Sequence, residues 1–127
     1  MVGAGAVGTV SALKFMQQAT LEQLVVADAV SARASLLTDR LRDPRVRSLT
    51  LDAGDRAAVA RTIRDTGTTL VLNAALPVTN LQVMRACLEA RCDYIDLASG
   101  GTDADGVPKL EDVEKRWKTG ARIQSGQ

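Results

Sequence analysis

Histidine is absent from this sequence of 127 residues, and cysteine occurs only twice, as Cys87 and Cys92. Without histidine, the chain cannot by itself build a histidine-based catalytic triad or proton relay. Two cysteines are also too few for the usual four-ligand structural zinc site. We therefore expect two reduced thiols and no metal centre, with a disulfide between the cysteines as the less favoured alternative.

Aromatic residues make up only 2% of the sequence, and no apolar run approaches the roughly 20 residues needed to span a bilayer. The formal net charge of +1 comes from acidic and basic residues that alternate along the chain. This composition offers neither the basic surface nor the stacking rings that nucleic-acid binding uses. We expect a cytoplasmic protein without a signal peptide that binds neither nucleic acid nor a membrane.

Short apolar runs alternate with amphipathic stretches along the chain. Four runs, rich in β-branched and aliphatic residues, predict buried parallel strands over residues 24–28, 47–51, 69–73 and 93–97. The stretches around them predict helices over residues 6–18, 31–42, 56–66, 80–90 and 108–119. Strands that alternate with helices of this length indicate right-handed βαβ units and therefore an α/β fold with a parallel sheet.

Local signals mark the ends of several predicted helices. Asp55 is a typical N-cap for the third helix, and Gly67 is a typical residue after its end. Thr79, with Gln82 three residues later, predicts a capping box at the start of the fourth helix. In the first helix, four apolar residues recur at three-residue spacing and so share one face: Val7, Val10, Leu13 and Met16.

The sequence opens with MVGAGAVG, in which Gly3, Gly5 and Gly8 form the pattern G-x-G-x-x-G. The first glycine permits a tight turn, the second lets backbone approach a diphosphate, and the third lets a helix pack closely on its strand. Asp28 lies 20 residues after Gly8 and ends a predicted strand, where an acid binds the cofactor ribose. These features predict a Rossmann-type doubly wound parallel sheet in three αβα layers. A glycine-rich turn in an unrelated α/β protein remains the alternative.

The choice of cofactor depends on the end of the second strand. Asp28 favours NAD, because a carboxylate accepts both ribose hydroxyls and repels the 2′-phosphate of NADP. Arg33 could reach that phosphate, so NADP remains possible. Later strand ends should also line the crevice. The candidate cofactor-binding residues are Gly3, Gly5, Ala6, Val7, Gly8, Asp28, Ala29, Arg33, Asp52, Ala53, Asn73, Ala74 and Ala75.

Only Met1 and Val2 precede the glycine motif, where a first strand of about 5–6 residues is expected. We expect them to be the last two residues of a truncated first strand at the centre of the sheet. The terminal ARIQSGQ begins like another strand. We therefore interpret residues 1–127 as one NAD(P)-binding domain, a fragment that lacks the substrate domain expected to follow it.

Four segments of the chain resemble the cofactor domain of the saccharopine dehydrogenase-like reductases: VGAGAVG, VVAD, LDAGD and LVLNAALPVTNLQVMRACLEARCDYIDLA. This group includes saccharopine dehydrogenase, lysine 6-dehydrogenase and carboxynorspermidine dehydrogenase. The resemblance covers about residues 2–98 well and the remainder more loosely. It implies an NAD(P)-dependent oxidoreductase that acts on CH–NH or C=N bonds of a small amine or amino acid.

The same resemblance places the catalytic groups in a second domain that follows the cofactor domain, so no catalytic residue is assigned in this chain. That domain would also form a homodimer. An NAD-sensing regulatory Rossmann module without catalysis remains the alternative function.

Overall fold

The computed structural model of the protein describes residues 1–97. In chain order they form α1 (Ala6–Met16), β1 (Leu24–Asp28), α2 (Ser31–Leu41), β2 (Val46–Thr50), α3 (Arg56–Thr66), β3 (Leu70–Asn73), α4 (Asn80–Ala90) and β4 (Asp93–Asp96). A 3₁₀ turn, Pro77–Thr79, precedes α4. Every strand and helix predicted within this range is present, with small differences at the ends. The predicted helix over residues 108–119 and the strand beginning in ARIQSGQ lie outside the described residues.

The central position of the sheet is held by Met1 and Val2. β1 pairs in parallel with β2, and β3 pairs in parallel with β4. Val2 joins the two pairs, because it forms parallel bridges to Ala27 of β1 and to Asn73 of β3. Its backbone N–H donates to the Leu72 carbonyl over 2.9 Å. The order across the sheet is therefore β2, β1, Met1–Val2, β3, β4, all parallel, which confirms the predicted place of these two residues.

Two core clusters lie on opposite faces of this sheet. Val26 and Ala27 are neighbours in β1 but belong to different clusters, as expected because successive strand side chains point to opposite faces. The Val26 cluster includes buried residues of α1 and α2: Ala12, Ala34 and Leu37. The Ala27 cluster includes buried residues of α3 and α4: Val59, Ala60, Ile63, Val83, Ala86 and Cys87. The predicted Rossmann-type fold in three αβα layers is confirmed.

The predicted ends of α3 are also confirmed. Asp55 is the N-cap, and its Oδ1 accepts a hydrogen bond from the Ala58 backbone N–H over 3.0 Å. Gly67 follows the last turn with a φ of 62°, in the left-handed region where a residue without Cβ is favoured.

The capping box predicted from Thr79 and Gln82 is wrong. The Thr79 side chain makes no capping bond to α4. Its hydroxyl instead donates to the Leu76 carbonyl over 2.8 Å. The cause is the 3₁₀ turn, which gives Thr79 a helical backbone conformation in place of the extended one that an N-cap needs.

Of the four residues predicted to share the apolar face of α1, only Met16 packs against a core cluster. Val7, Val10 and Leu13 are 52%, 60% and 52% exposed. The buried residues of this helix are the small ones, Gly8 and Ala12. Because Gly8 brings the start of α1 close to the glycine turn, only small side chains fit there between the helix and the sheet, whereas Phe15 and Met16 near its end pack against the Val26 cluster.

Cys87 and Cys92 are free thiols buried in the cluster beneath α3 and α4. The Cys92 backbone N–H donates to the Cys87 carbonyl over 2.9 Å. The Cys87 thiol donates a hydrogen bond to the Cys92 sulfur, and this bond together with burial raises the pKa of Cys87. Within residues 1–97, no helix is long and apolar enough to cross a membrane, and no three potential metal-ligating side chains lie together.

Candidate functional site

The three glycines of the opening motif lie in different surroundings. Gly3 has a φ of +95°, and a Cβ there would lie 2.7 Å from the Ala74 carbonyl carbon. A Cβ at Gly8 would overlap the Gly3 carbonyl oxygen. A Cβ at Gly5 would meet no atom within 4 Å. Protein backbone therefore surrounds Gly3 and Gly8, whereas Gly5 faces open space at the carboxyl edge of the sheet.

The start of α1 lies beside this open space. Gly5 is the N-cap, no side chain caps the helix, and its first turn contains no acidic residue. The first N–H groups of a helix have no partner within the helix, and they carry a partial positive charge. Ala6 and Val7 are exposed here, whereas Gly8 is buried. The turn thus offers backbone donors and room for an anionic group, which is how helix starts bind phosphate.

Asp28 connects the glycine turn to the start of α2. It ends β1 and is only 8% exposed. Its Oδ2 accepts a hydrogen bond from the Ala4 N–H over 2.8 Å, and its Oδ1 accepts one from the Val30 N–H over 2.8 Å. The sequence predicts a ribose-binding carboxylate at this position. The structure adds two backbone contacts that no sequence pattern indicates.

The segment after Asp28 presents the predicted residues Ala29 and Arg33 on the surface. Both are exposed, as is Ser31, the first residue of α2. Arg33 lies in the first turn of this helix. Among the described residues it forms no ion pair, so its guanidinium is available to an anionic ligand at this edge.

The end of β2 leads into a local turn at Asp52 and Ala53. Asp52 is exposed, and its Oδ1 accepts a hydrogen bond from the Gly54 N–H over 2.8 Å, which closes a local turn. Ala53 is buried in the core beneath α3 and α4. Its side chain therefore packs inward, and only its backbone can face a ligand.

Asn73 points into the protein. Its residue is 2% exposed. Its Nδ2 donates to Asn80 Oδ1 over 2.8 Å, and its Oδ1 accepts from the Ala75 N–H over 3.1 Å. Asn73 therefore fixes the loop after β3 and the start of α4. Asn80 was not predicted from the sequence, although an Asn at the first position of a predicted helix was a signal that could have indicated it.

The loop after β3 lies directly against the glycine turn. The Ala74 N–H donates to the Val2 carbonyl over 2.7 Å, and the Ala74 backbone is the group that prevents a Cβ at Gly3. Ala74 and Ala75 are partly exposed. Contacts thus join the glycine turn to the ends of β1 and β3, whereas Asp52 and Ala53 lie one strand further out.

A cavity lies at the opposite, amino edge of the sheet. Its lining includes Met1, Phe15, Leu21, Thr68 and Leu70. None of the predicted site residues lines it. It is therefore separate from the glycine turn and serves as a reference surface for binding experiments.

Comparison with known proteins identifies the family. Residues 1–123 match the model of the saccharopine dehydrogenase NADP-binding domain. The chain belongs to this family. Over 99 residues, this member is 34% identical to a carboxyaminopropylagmatine dehydrogenase from Synechocystis sp.. The match covers 78% of this chain and 25% of that enzyme, so the chain spans about a quarter of its relative's length.

The family assignment also bears on the cofactor. It supports a nicotinamide dinucleotide, as predicted, and its description favours NADP over the NAD that Asp28 led us to expect. Each carboxylate oxygen of Asp28 accepts a backbone hydrogen bond, so this acid contacts two segments of the protein whichever dinucleotide binds.

Proposed function

We propose that this domain binds NADP(H) at the glycine turn and serves an oxidoreductase that acts on CH–NH or C=N bonds. The observation that supports it most directly is the contrast among the three glycines. Gly3 and Gly8 are needed for packing, whereas Gly5 has no packing reason to lack a side chain. A glycine is required at such a position when a ligand approaches the backbone.

In this proposal the described residues bind and orient the cofactor. Ala6, Val7 and Gly8 would direct backbone N–H groups at the diphosphate. Ala74 and Ala75 would leave room beside the nicotinamide ribose. The nicotinamide, when bound, supplies the hydride acceptor or donor for interconversion of an amine and an imine. We assign no catalytic role to a described residue.

The substrate class rests on the family and on the name of the Synechocystis relative, a dehydrogenase. We propose a small amine or amino acid. Assembly into a homodimer through a second domain remains a prediction from the resemblance.

The preference for NADP is part of the proposal. Arg33 and Ser31 are exposed in the first turn of α2, next to the strand end that lies near the cofactor ribose in this fold. A guanidinium and a hydroxyl at a helix start are suited to a phosphate group. The Arg33 guanidinium would offset the repulsion between the Asp28 carboxylate and the 2′-phosphate.

Replacing Gly5 with alanine tests the proposed site. Gly5 has a φ of −77°, which alanine adopts without strain, so the free energy of unfolding should fall by no more than about 1 kcal/mol, the cost of a less favoured N-cap residue. The added methyl group would occupy the diphosphate approach. Isothermal titration calorimetry should therefore show an NADPH Kd raised at least about tenfold, or roughly 1.4 kcal/mol.

Gly67→Ala is the matched control. Gly67 has a φ of 62° and lies far along the chain from the motif, at the end of α3. The alanine there should cost about 1 kcal/mol of stability and leave the NADPH Kd unchanged. An unchanged Kd in Gly5→Ala, with the protein folded, would contradict the proposed site.

A further inference from the structure

Asp28 makes two contacts within the protein that do not involve the ribose. Its carboxylate is almost fully buried and accepts one backbone hydrogen bond on each oxygen. The two donors lie in different segments. Ala4 belongs to the glycine turn, and Val30 immediately precedes α2. One side chain thus holds together two segments that both border the proposed cofactor site.

The bond to Ala4 satisfies a donor that the sheet leaves unpaired. The Gly3 N–H still donates to the Ala27 carbonyl over 2.8 Å, as part of the sheet. The positive φ of Gly3 then turns the chain, and the next N–H, of Ala4, points to the carboxylate. Ala4 is 9% exposed. A buried N–H without an acceptor is unfavourable, so removing the carboxylate should let the turn move.

The bond to Val30 fixes the start of α2. Val30 has an extended backbone and is the N-cap of this helix, without a side-chain capping bond. The Arg33 N–H donates to the Val30 carbonyl over 3.0 Å. The position of Val30 therefore fixes where the first turn of α2, with Ser31 and Arg33, begins.

We propose that Asp28 is a positioning residue, whose carboxylate fixes the glycine turn relative to the start of α2 so that both dinucleotides depend on it equally. A carboxylate has about four acceptor sites, so two backbone bonds do not prevent a contact with the ribose. The two roles differ in their consequences. Recognition of the ribose strengthens the binding of NADH more than that of NADPH. Positioning strengthens the binding of both cofactors, and its hydrogen bonds exist before either cofactor binds.

The test compares Asp28→Asn with Asp43→Asn. Asp43 is the control, because its Oδ1 also accepts a backbone N–H, that of Arg45 over 2.9 Å, but only within its own turn before β2. Hydrogen exchange is measured without cofactor, and calorimetry gives the Kd values of NADPH and NADH. In Asp28→Asn the Ala4 and Val30 amides should exchange roughly tenfold faster, since an amide side chain cannot accept both bonds.

The same variant should raise both Kd values by a similar factor, roughly tenfold. Asp43→Asn should change neither the exchange at Ala4 and Val30 nor the two Kd values. A loss confined to NADH, or a gain for NADPH, with unchanged exchange at Ala4 and Val30, would overturn the positioning role. A variant that does not fold at all would also overturn it, because the carboxylate would then support the whole sheet.

Asp28→Glu provides a second variant. It keeps the charge but moves the carboxylate outward by one methylene. Positioning predicts weaker binding of both cofactors, and recognition predicts that the NADH Kd is retained. The measurement of Kd values rests on the proposed function, whereas the measurement of hydrogen exchange does not. If the wild-type protein binds neither dinucleotide, the proposed function fails, and exchange at Ala4 and Val30 still decides whether Asp28 fixes the two segments.

Discussion

At the scale of the residue, each position of the motif is a glycine for a different physical reason. Gly3 needs a positive φ and contacts the Ala74 backbone, and Gly8 contacts the Gly3 carbonyl. Both would be required in the absence of any ligand. A Cβ at Gly5 would meet no protein atom within 4 Å, and we propose that cofactor binding is what requires a glycine there. The motif thus combines two structural requirements with one that is functional in our proposal.

Residue-scale features were only partly predictable from the sequence. The spacing of Gly3, Gly5, Gly8 and Asp28 located the turn and the strand end, because covalent distance along a βα unit fixes both. The inward orientation of Asn73 was not predictable. It depends on its contact with Asn80, which exists only after β3 and α4 have packed together.

Arg33→Ala should separate the two cofactors. The guanidinium lies exposed in the first turn of α2, where it would pair with the 2′-phosphate that NADPH has and NADH lacks. Loss of a charge-assisted hydrogen bond should raise the NADPH Kd about tenfold. The NADH Kd should change by less than about twofold, because no bond to that cofactor is lost. Fluorescence titration with each reduced cofactor measures both values.

Arg40→Ala is the control for general charge. Arg40 is exposed near the other end of the same helix, so its removal changes the net charge equally without touching the helix start. The preference for NADPH should survive this change. Equal weakening of NADH and NADPH by Arg33→Ala would exclude the proposed role of Arg33.

At the scale of the element, periodicity and capping signals predicted the helices and strands well. Two errors have local physical causes. The 3₁₀ turn at Pro77–Thr79 displaced the predicted N-cap of α4. Close packing at Gly8 turned Val7 and Val10 of α1 away from the sheet. Spacing alone identifies an apolar face, but the neighbours of a helix decide which face is buried.

The short central element Met1–Val2 predicts a pH dependence of stability. The Met1 amino group donates to the Val25 carbonyl over 2.7 Å, and burial lowers its pKa from 8.0 to about 6. The neighbouring thiols of Cys92 and Cys87 oppose this shift. Between these pH values the unfolded chain binds more protons than the folded one, so stability must rise with pH.

Urea unfolding of the chain with a free Met1 amine measures this effect. The free energy of unfolding should increase between about pH 6 and pH 8, by up to roughly 2–3 kcal/mol for a shift of two pKa units. Acetylation of Met1 is the control, because the amide keeps an N–H but cannot be protonated. The increase should disappear after acetylation. An equal increase in the acetylated chain would assign the effect to another group.

At the scale of the whole molecule, the parallel sheet gives its two edges different properties. The glycine turn, Asp28 and the loop after Asn73 lie at the carboxyl edge. The amino edge contains the cavity beside Phe15 and Leu70. In α/β proteins of this kind, ligands bind at the carboxyl ends of the strands. The edge with the cavity is therefore not the edge where we expect the cofactor.

The most direct test of this account is the position of bound NADPH on the ¹⁵N-labelled chain. Backbone amide shifts are followed by NMR during a titration with NADPH. The largest changes should occur in residues 3–9, 28–33 and 74–75, whereas Thr68 and Leu70 at the amino-edge cavity should not change. Changes centred on that cavity, or no changes at saturating NADPH, would contradict the central claim that the glycine turn binds the cofactor.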